Sequence, residues 1–211
     1  MAHTLGFGAG FRTGKIRTLE RYTFQEFEFA KLNHSKAKKQ TGMSQTLLSR
    51  RYIYGGINEL FVLRYGVGTQ TTTNQKPYWG GLEVGYQITL GAQLGIALPQ
   101  FLRVRYIDSI SKESTSKVEQ FDANNDLHNE WGNIYSRGPW FKGFTNPRVY
   151  PGLYFQFGFN FDFGKYQEIV QAIEAGVMID YFPIPVPMMA HRPKSWGFIN
   201  FYLTYHFGKR Y

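Results

Sequence analysis

The sequence predicts an all-β fold: eight antiparallel strands closed into a transmembrane β-barrel around a narrow, side-chain-filled lumen. Three observations carry this. The stretch Gly152–Gly164, GLYFQFGFNFDFG, places Leu153, Phe155, Phe157, Phe159, Phe161 and Phe163 on one face of a strand. Gly152, Tyr154, Gln156, Gly158, Asn160, Asp162 and Gly164 fall on the other, because side chains alternate across a strand. Composition agrees, with 23 Gly, 19 Phe and 15 Tyr, and with 18% charged residues against roughly a quarter in soluble chains. The patterned segments also run to roughly 10–14 residues, enough when tilted about 45° to cross a hydrocarbon layer. Soluble strands are usually about five or six residues long.

The elements follow in chain order. Leu5, Phe7, Ala9 and Phe11 oppose Gly6, Gly8, Gly10 and Arg12. RYTFQEFEFAK supplies a second strand, in which Tyr22 and Phe24 are out of phase with Phe27 and Phe29; a bulge is expected there. From Gly56 to Gln70, Ile57, Phe61, Leu63, Tyr65 and Val67 oppose a face that includes Arg64. From Gly80 to Leu90, Leu82, Val84, Tyr86, Ile88 and Leu90 oppose Gly81, Glu83, Gly85, Gln87 and Thr89. A tight turn at Leu90-Gly91-Ala92 is expected next. Leu94, Ile96, Leu98, Leu102, Val104 and Tyr106 then oppose Arg103 and Arg105, with an irregularity at Pro99-Gln100. After the quoted strand, Ile169, Ile173, Ala175, Val177, Ile179 and Tyr181 oppose Ala172, Glu174, Gly176 and Asp180. The last strand sets Ile199, Phe201, Leu203, Tyr205 and Phe207 against Asn200, Thr204 and His206.

Size and charge decide which face turns inward. An eight-stranded lumen is just wide enough for side chains or one small ligand, and a row of six large aromatics from a single strand would overfill it. The Gly-rich polar face fits. It carries Arg12, Arg64, Arg103 and Arg105 with Glu83, Asp162, Glu174 and Asp180, which can pair in a lumen. Facing lipid, each would cost about 2–4 kcal/mol near the midplane. Phe155, Phe157, Phe159, Phe161, Phe201 and Leu203 are therefore expected to face lipid, and His206 joins the lumen network.

Other classes recede. No run of about 18 apolar residues suggests a spanning helix, and the absence of cysteine removes disulfides and thiolate metal sites. A net charge of +9 is dispersed and no nucleic-acid module accompanies it, so no nucleic-acid partner is expected. The histidines lack ligand spacing and GFGAGF lacks a following helix, so neither a metal nor a cofactor is expected. The opening MAHTLGF shows no basic segment followed by an apolar stretch; with a barrel, the numbering is expected to start on a mature chain to which Met1–His3 were added.

The chain reads as one domain, 1–211, with two long connections. That from about 107 to 147 is expected to face outward, opposite the short turns after Leu90 and Phe163. The same strand count places the basic connection of about 32–50 on the periplasmic side. Lys31, Lys36, Lys38, Lys39, Arg50 and Arg51 lie there with no Asp or Glu between them, and Lys36, Lys38 and Lys39 are expected to dock an acidic partner or anionic headgroups.

YIYGGINELFVLRYGVGTQ (52–70), KPYWGGLEVGY (76–86), SRGPWFKGF (136–144) and the ending FYLTYHFGKRY resemble small outer-membrane β-barrel proteins of Bacteroidetes-type bacteria. The terminal aromatic, Tyr211, is similar to the signal by which such barrels are recognised for assembly. The resemblance implies residence in the outer membrane of a Gram-negative envelope; it attaches no catalytic residues. The expectation is thus a non-enzymatic structural or accessory barrel in outer-membrane lipid, a subunit of a larger secretion or assembly complex. Two alternatives stay open: a barrel enzyme acting on lipid or peptide through His206, and a soluble lipocalin-like carrier with the aromatic face inward.

Overall fold

The computed structural model describes residues 1–18, 20–34, 37, 39–40, 52–75, 81–107, 114–122, 125–129, 133–164, 169–190 and 194–209. The chain is all-β, and eight strands form an antiparallel sheet that closes on itself. They are β1 (Ala2–His3), β2 (Gly6–Ile16), β3 (Arg21–Leu32), β6 (Asn58–Asn74), β7 (Glu83–Pro99), β11 (Arg148–Asp162), β12 (Ile169–Val186) and β13 (Ser195–Lys209). Around the ring the order is β1-β13-β12-β11-β7-β6-β3-β2.

The eight are not the eight expected. Glu83–Pro99 is one unbroken strand, paired from Glu83 to Ala97 with β11 and along its length with β6, so there is no turn at Leu90-Gly91-Ala92. Gly91 serves packing instead: a Cβ there would collide with the Tyr154 ring and the Gly66 backbone. Leu82, Tyr86, Ile88, Leu90 and Leu94 keep one phase through that glycine and all stand exposed. The eighth strand is the two-residue β1, which joins β2 to β13. Ala2 and His3 thus take part in closing the ring.

Nor does the second strand bulge. β3 pairs in continuous register with β2 and β6. Phe27 and Phe29 point outward, while Phe24 is buried beneath the Arg12 guanidinium, 4.1 Å from its ring centre. That cation–π contact accounts for an aromatic on the inward face.

At Pro99-Gln100, where an irregularity is expected, the chain leaves the barrel. β8 (Phe101–Ile107), β9 (Ser114–Gln120) and β10 (Ile134–Arg137) form a separate sheet in the order β10-β8-β9. With β4 (Lys39–Gln40) and β5 (Tyr52–Ile53), and with residues from all three long connections, this sheet builds a cap. Tyr52, Leu102, Val104, Phe121, Ile134 and Ala190 form its core. Burial pushes the Tyr52 phenol pKa up, and the Tyr106 phenol, donating to Glu119 at 2.7 Å, is likewise raised by that carboxylate.

Losing the turn at Gly91 changes the sidedness. The connections 33–57, 100–147 and 187–194 now share one barrel end, and 17–20, 75–82 and 163–168 the other. The basic connection therefore lies on the same side as the long outer one, because one strand fewer separates them. Lys36 and Lys38 lie outside the described residues. Lys39 is placed only by its backbone, which pairs with Ile53.

Candidate functional site

Strand alternation turns one side of every long strand into the barrel, and the inward side chains fill the lumen with a plug and two polar tiers. At the cap end Leu32, Leu60, Val62, Ala97, Tyr150, Phe182, Val186 and Phe198 form an apolar plug. Beyond it lie two polar tiers of nearly the same make-up. In each, an arginine sits between two carboxylates, one from β3 and one from β12, with a glutamine from β7 and a histidine.

In the deeper tier Arg64 makes a two-pronged contact with Asp180, Nε to Oδ1 and Nη2 to Oδ2, both at 3.0 Å. Its Nη1 lies 3.1 Å from Glu28 and its Nε donates to Gln93 at 3.3 Å. His3 Nε2 is 2.9 Å from Glu28, and Asn200 donates to Asp180 at 2.9 Å. In the outer tier Arg12 donates to Glu26 through Nε at 2.9 Å and to Gln87 at 2.9 Å, and its Nη2 lies 3.1 Å from Glu174. Glu174 also accepts from Gln156 at 2.9 Å, from Tyr202 at 2.6 Å and from Gln87, while His206 Nε2 is 2.7 Å from its Oε2. Each tier is electrically balanced when its histidine carries a proton, and Arg64, Glu174, Asp180 and Glu28 are buried. Paired charges with further hydrogen bonds are the form in which burial is tolerable.

Of the residues expected in the lumen, Arg12, Arg64, Glu174, Asp180 and His206 are brought together in these tiers. Glu83 and Asp162 point inward nearer the short-turn end, where Thr72 donates to Glu83 at 3.2 Å and the Gly164 amide to Asp162 at 2.9 Å. Arg103 and Arg105 do not belong there. Both lie on β8 in the cap, Arg103 exposed, because the chain has left the barrel at Pro99. Sequence reasoning missed Glu26 and Glu28, since the bulge expected in β3, which the structure does not have, scrambles its phase, and it missed His3, set aside with Met1–His3. Their signal was the strict alternation Glu26, Glu28, Ala30 against Phe27 and Phe29.

The outer wall is the reverse. Phe155, Phe157, Phe159, Phe201 and Leu203 stand exposed, with Phe161 half-buried. Phe7, Phe11, Val67, Leu90, Ile173, Ile199 and Phe207 extend the apolar surface around the ring.

Chemically, this interior is a set of ion pairs with further hydrogen bonds to Glu174 and Asp180, in which Arg64 Nη1, Glu28 Oε2 and His3 Nδ1 are buried without a hydrogen-bond partner. Among the described residues no group of His, Cys, Asp or Glu is arranged to hold a metal ion. No protein-family model, curated protein or solved structure matches the chain.

Proposed function

We propose that this chain is a transmembrane β-barrel of a bacterial outer membrane, acting without catalysis as a structural or accessory component, a subunit of a larger envelope assembly. One observation carries the reading: the barrel is inside-out relative to a soluble protein. On β11, Gln156 is 0% exposed while neighbouring Phe157 is 36% exposed, and on β13 Tyr202 is 3% exposed while Phe201 is 66% exposed. An apolar surface continuous around the ring is far beyond the patches soluble monomers present, and a hydrocarbon layer is the partner that fits it. The short turns at one end and long connections at the other follow the asymmetry of such barrels, with the cap on the outer side. The terminal strand ends at the short-turn side, in keeping with the resemblance to Bacteroidetes-type barrels.

The lipocalin-like reading loses its basis, since it needs the aromatic face inward around a ligand cavity. The enzyme reading rests on His206. Glu174, the carboxylate beside it, already receives Arg12, Tyr202, Gln156 and Gln87, so it is poorly placed to act as a base. Replacing His206 by Ala is expected to change stability alone, with no lipid or peptide turnover lost.

Planar-bilayer recording tests the occluded lumen. The refolded chain is expected to give no steady channels, because the plug and the two tiers leave no continuous water path. Porin-like conductance would overturn the structural reading. Co-purification from native membranes would identify the assembly; a chain recovered alone after mild extraction would argue against a subunit role.

A further inference from the structure

The outward face of the wall changes character at the cap end. On β3 and β6 it is aromatic as far as Phe29 and Phe61, whose rings stack with their centres 5.8 Å apart. One step nearer the cap it is charged. Strand alternation puts Lys31, in register with Phe61, and Glu59, in register with Leu98 of β7, on that same outward face. Lys31 Nζ lies 3.1 Å from Glu59 Oε2 and 5.3 Å from the centre of the Phe61 ring. Arg137, which β10 brings from the cap, reaches Glu59 Oε1 through Nη2 at 2.9 Å. One carboxylate, its side chain only 10% exposed, thus holds two cations side by side, with side chains 23% and 24% exposed.

The cap itself comes down over this wall. Leu98 is on the outward phase of β7 yet buried, and the short 3-10 helix Trp140–Thr145 lies against it. A Cβ on Gly143 would stand 3.4 Å from the Leu98 Cβ and 3.0 Å from the Pro99 carbonyl oxygen, so the glycine is what lets the helix lie this close. With Gly143 against the wall, Phe141 and Phe144 stand exposed. Lys142, between them, is exposed and has no carboxylate partner among the described residues.

Three cations therefore accompany one carboxylate on a strip of wall that begins where the aromatic rows end. An outward Lys or Arg is costly at the bilayer midplane and nearly free at its interface, so the membrane reading sets this strip at headgroup level. We propose that it is a binding site for the phosphate headgroup of an anionic lipid in the outer leaflet. Lys31, Arg137 and Lys142 meet the phosphate oxygens, an acyl chain descends over Phe61 and Phe29, and Phe141 enters the same layer. The inference rests on the membrane reading above.

The chemistry selects this occupant. Glu59 fixes Lys31 and Arg137 with one contact to each, which leaves further N–H donors of both for an oxyanion; a guanidinium fork suits phosphate in particular. An acidic peptide would match the charge but would leave the Phe29, Phe61 and Phe141 rings without an apolar partner. A lipid satisfies both, its head on the cations and its chain on the rings. Because the site draws on β3, β6, β10 and the helix at 140–145, a bound headgroup also ties the cap to the barrel wall.

Native mass spectrometry tests this on the micelle-refolded chain, offered dioleoyl phosphatidylglycerol and dioleoyl phosphatidylcholine in equal amounts. Phosphatidylglycerol is expected to be retained in preference. Lys142→Gln, at an exposed position, is expected to weaken that retention about five-fold. Lys31→Gln, Glu59→Gln and Arg137→Gln made together leave no lone carboxylate buried, and are expected to weaken it by at least about as much. Lys15→Gln with Arg21→Gln, which takes two exposed charges from the opposite end of the barrel, is expected to leave it unchanged. Equal retention of the two lipids by the native chain would overturn the site, as would an equal loss from the Lys15 and Arg21 variant. Displacement of the lipid by equimolar glycerol phosphate, or by polyglutamate of equal charge, would overturn a lipid as the occupant. Insertion is read separately, from Phe157→Cys spin-labelled in vesicles. Oxygen collision there without a preference for phosphatidylglycerol overturns the site alone, whereas collision with a water-soluble nickel chelate contradicts the membrane reading on which the site rests.

Discussion

Arg64 on β6 and Asp180 on β12 meet through two parallel hydrogen bonds of 3.0 Å, although β7 and β11 lie between their strands on the barrel wall. The pair therefore crosses the lumen, and it couples opposite walls. Asp180→Ala leaves a buried guanidinium with Glu28 as its remaining carboxylate, and is expected to cost about 3–5 kcal/mol. Asp180→Asn, which keeps an acceptor, is expected to cost less. Urea unfolding in micelles measures both; an unchanged midpoint for Asp180→Ala would show that the pair does not hold the walls together.

Phe157 and Phe159 stand outward on the middle of β11, with ring centres 5.5 Å apart. Replacing either by Arg is expected to lower insertion by about 2–4 kcal/mol near the midplane. Folding yield into lipid vesicles is the readout. Wild-type yield for both variants would contradict a lipid-facing wall.

Gly91 separates the present strand from the turn the sequence suggests. Gly91→Val must displace the Tyr154 ring, an overpacking expected to cost about 1–3 kcal/mol. If Gly91 sat in an exposed turn, valine would leave the Tyr154 environment unaltered; near-ultraviolet circular dichroism is expected to show that it does not.

In the cap, the raised Tyr106 pKa sets the sign of a pH effect. The neutral phenol donates to Glu119, and the folded-state pKa lies above that of the unfolded chain, about 10. The contribution is therefore fully present below pH of about 10 and lost as pH rises through the folded value. Tyr106→Phe is expected to remove this alkaline decline from the cap's unfolding profile. An identical alkaline profile in that variant would contradict the contact.

Much of this was legible in the sequence because a strand's period is short and its two faces here differ strongly. The β11 and β12 faces are recovered residue by residue, and Arg12, Arg64, Glu174, Asp180 and His206 do meet. Glycine was the main obscurity. A glycine that admits a tyrosine ring and one that starts a turn look alike in sequence, so Gly91 cut a strand in two. That cut also moved the basic connection to the wrong end and put Arg103 and Arg105 in a lumen they never enter. Phe24 obscured β3 in a different way, since only the Arg12 above it explains an inward aromatic. The cap was beyond reach, because its core unites Tyr52, Leu102, Ile134 and Ala190 from connections far apart in the chain.

The central claim is that one face of each long strand meets lipid and the other is sealed. The chain has no cysteine, so single cysteines can be placed along β11 from Leu153 to Asp162, spin-labelled in vesicles and tested for collisions with oxygen and with a water-soluble nickel chelate. The account predicts period-2 alternation, with high oxygen and low nickel collision at 153, 155, 157, 159 and 161, and low values of both at 154, 156, 158 and 160. High nickel collision at the odd positions would contradict it.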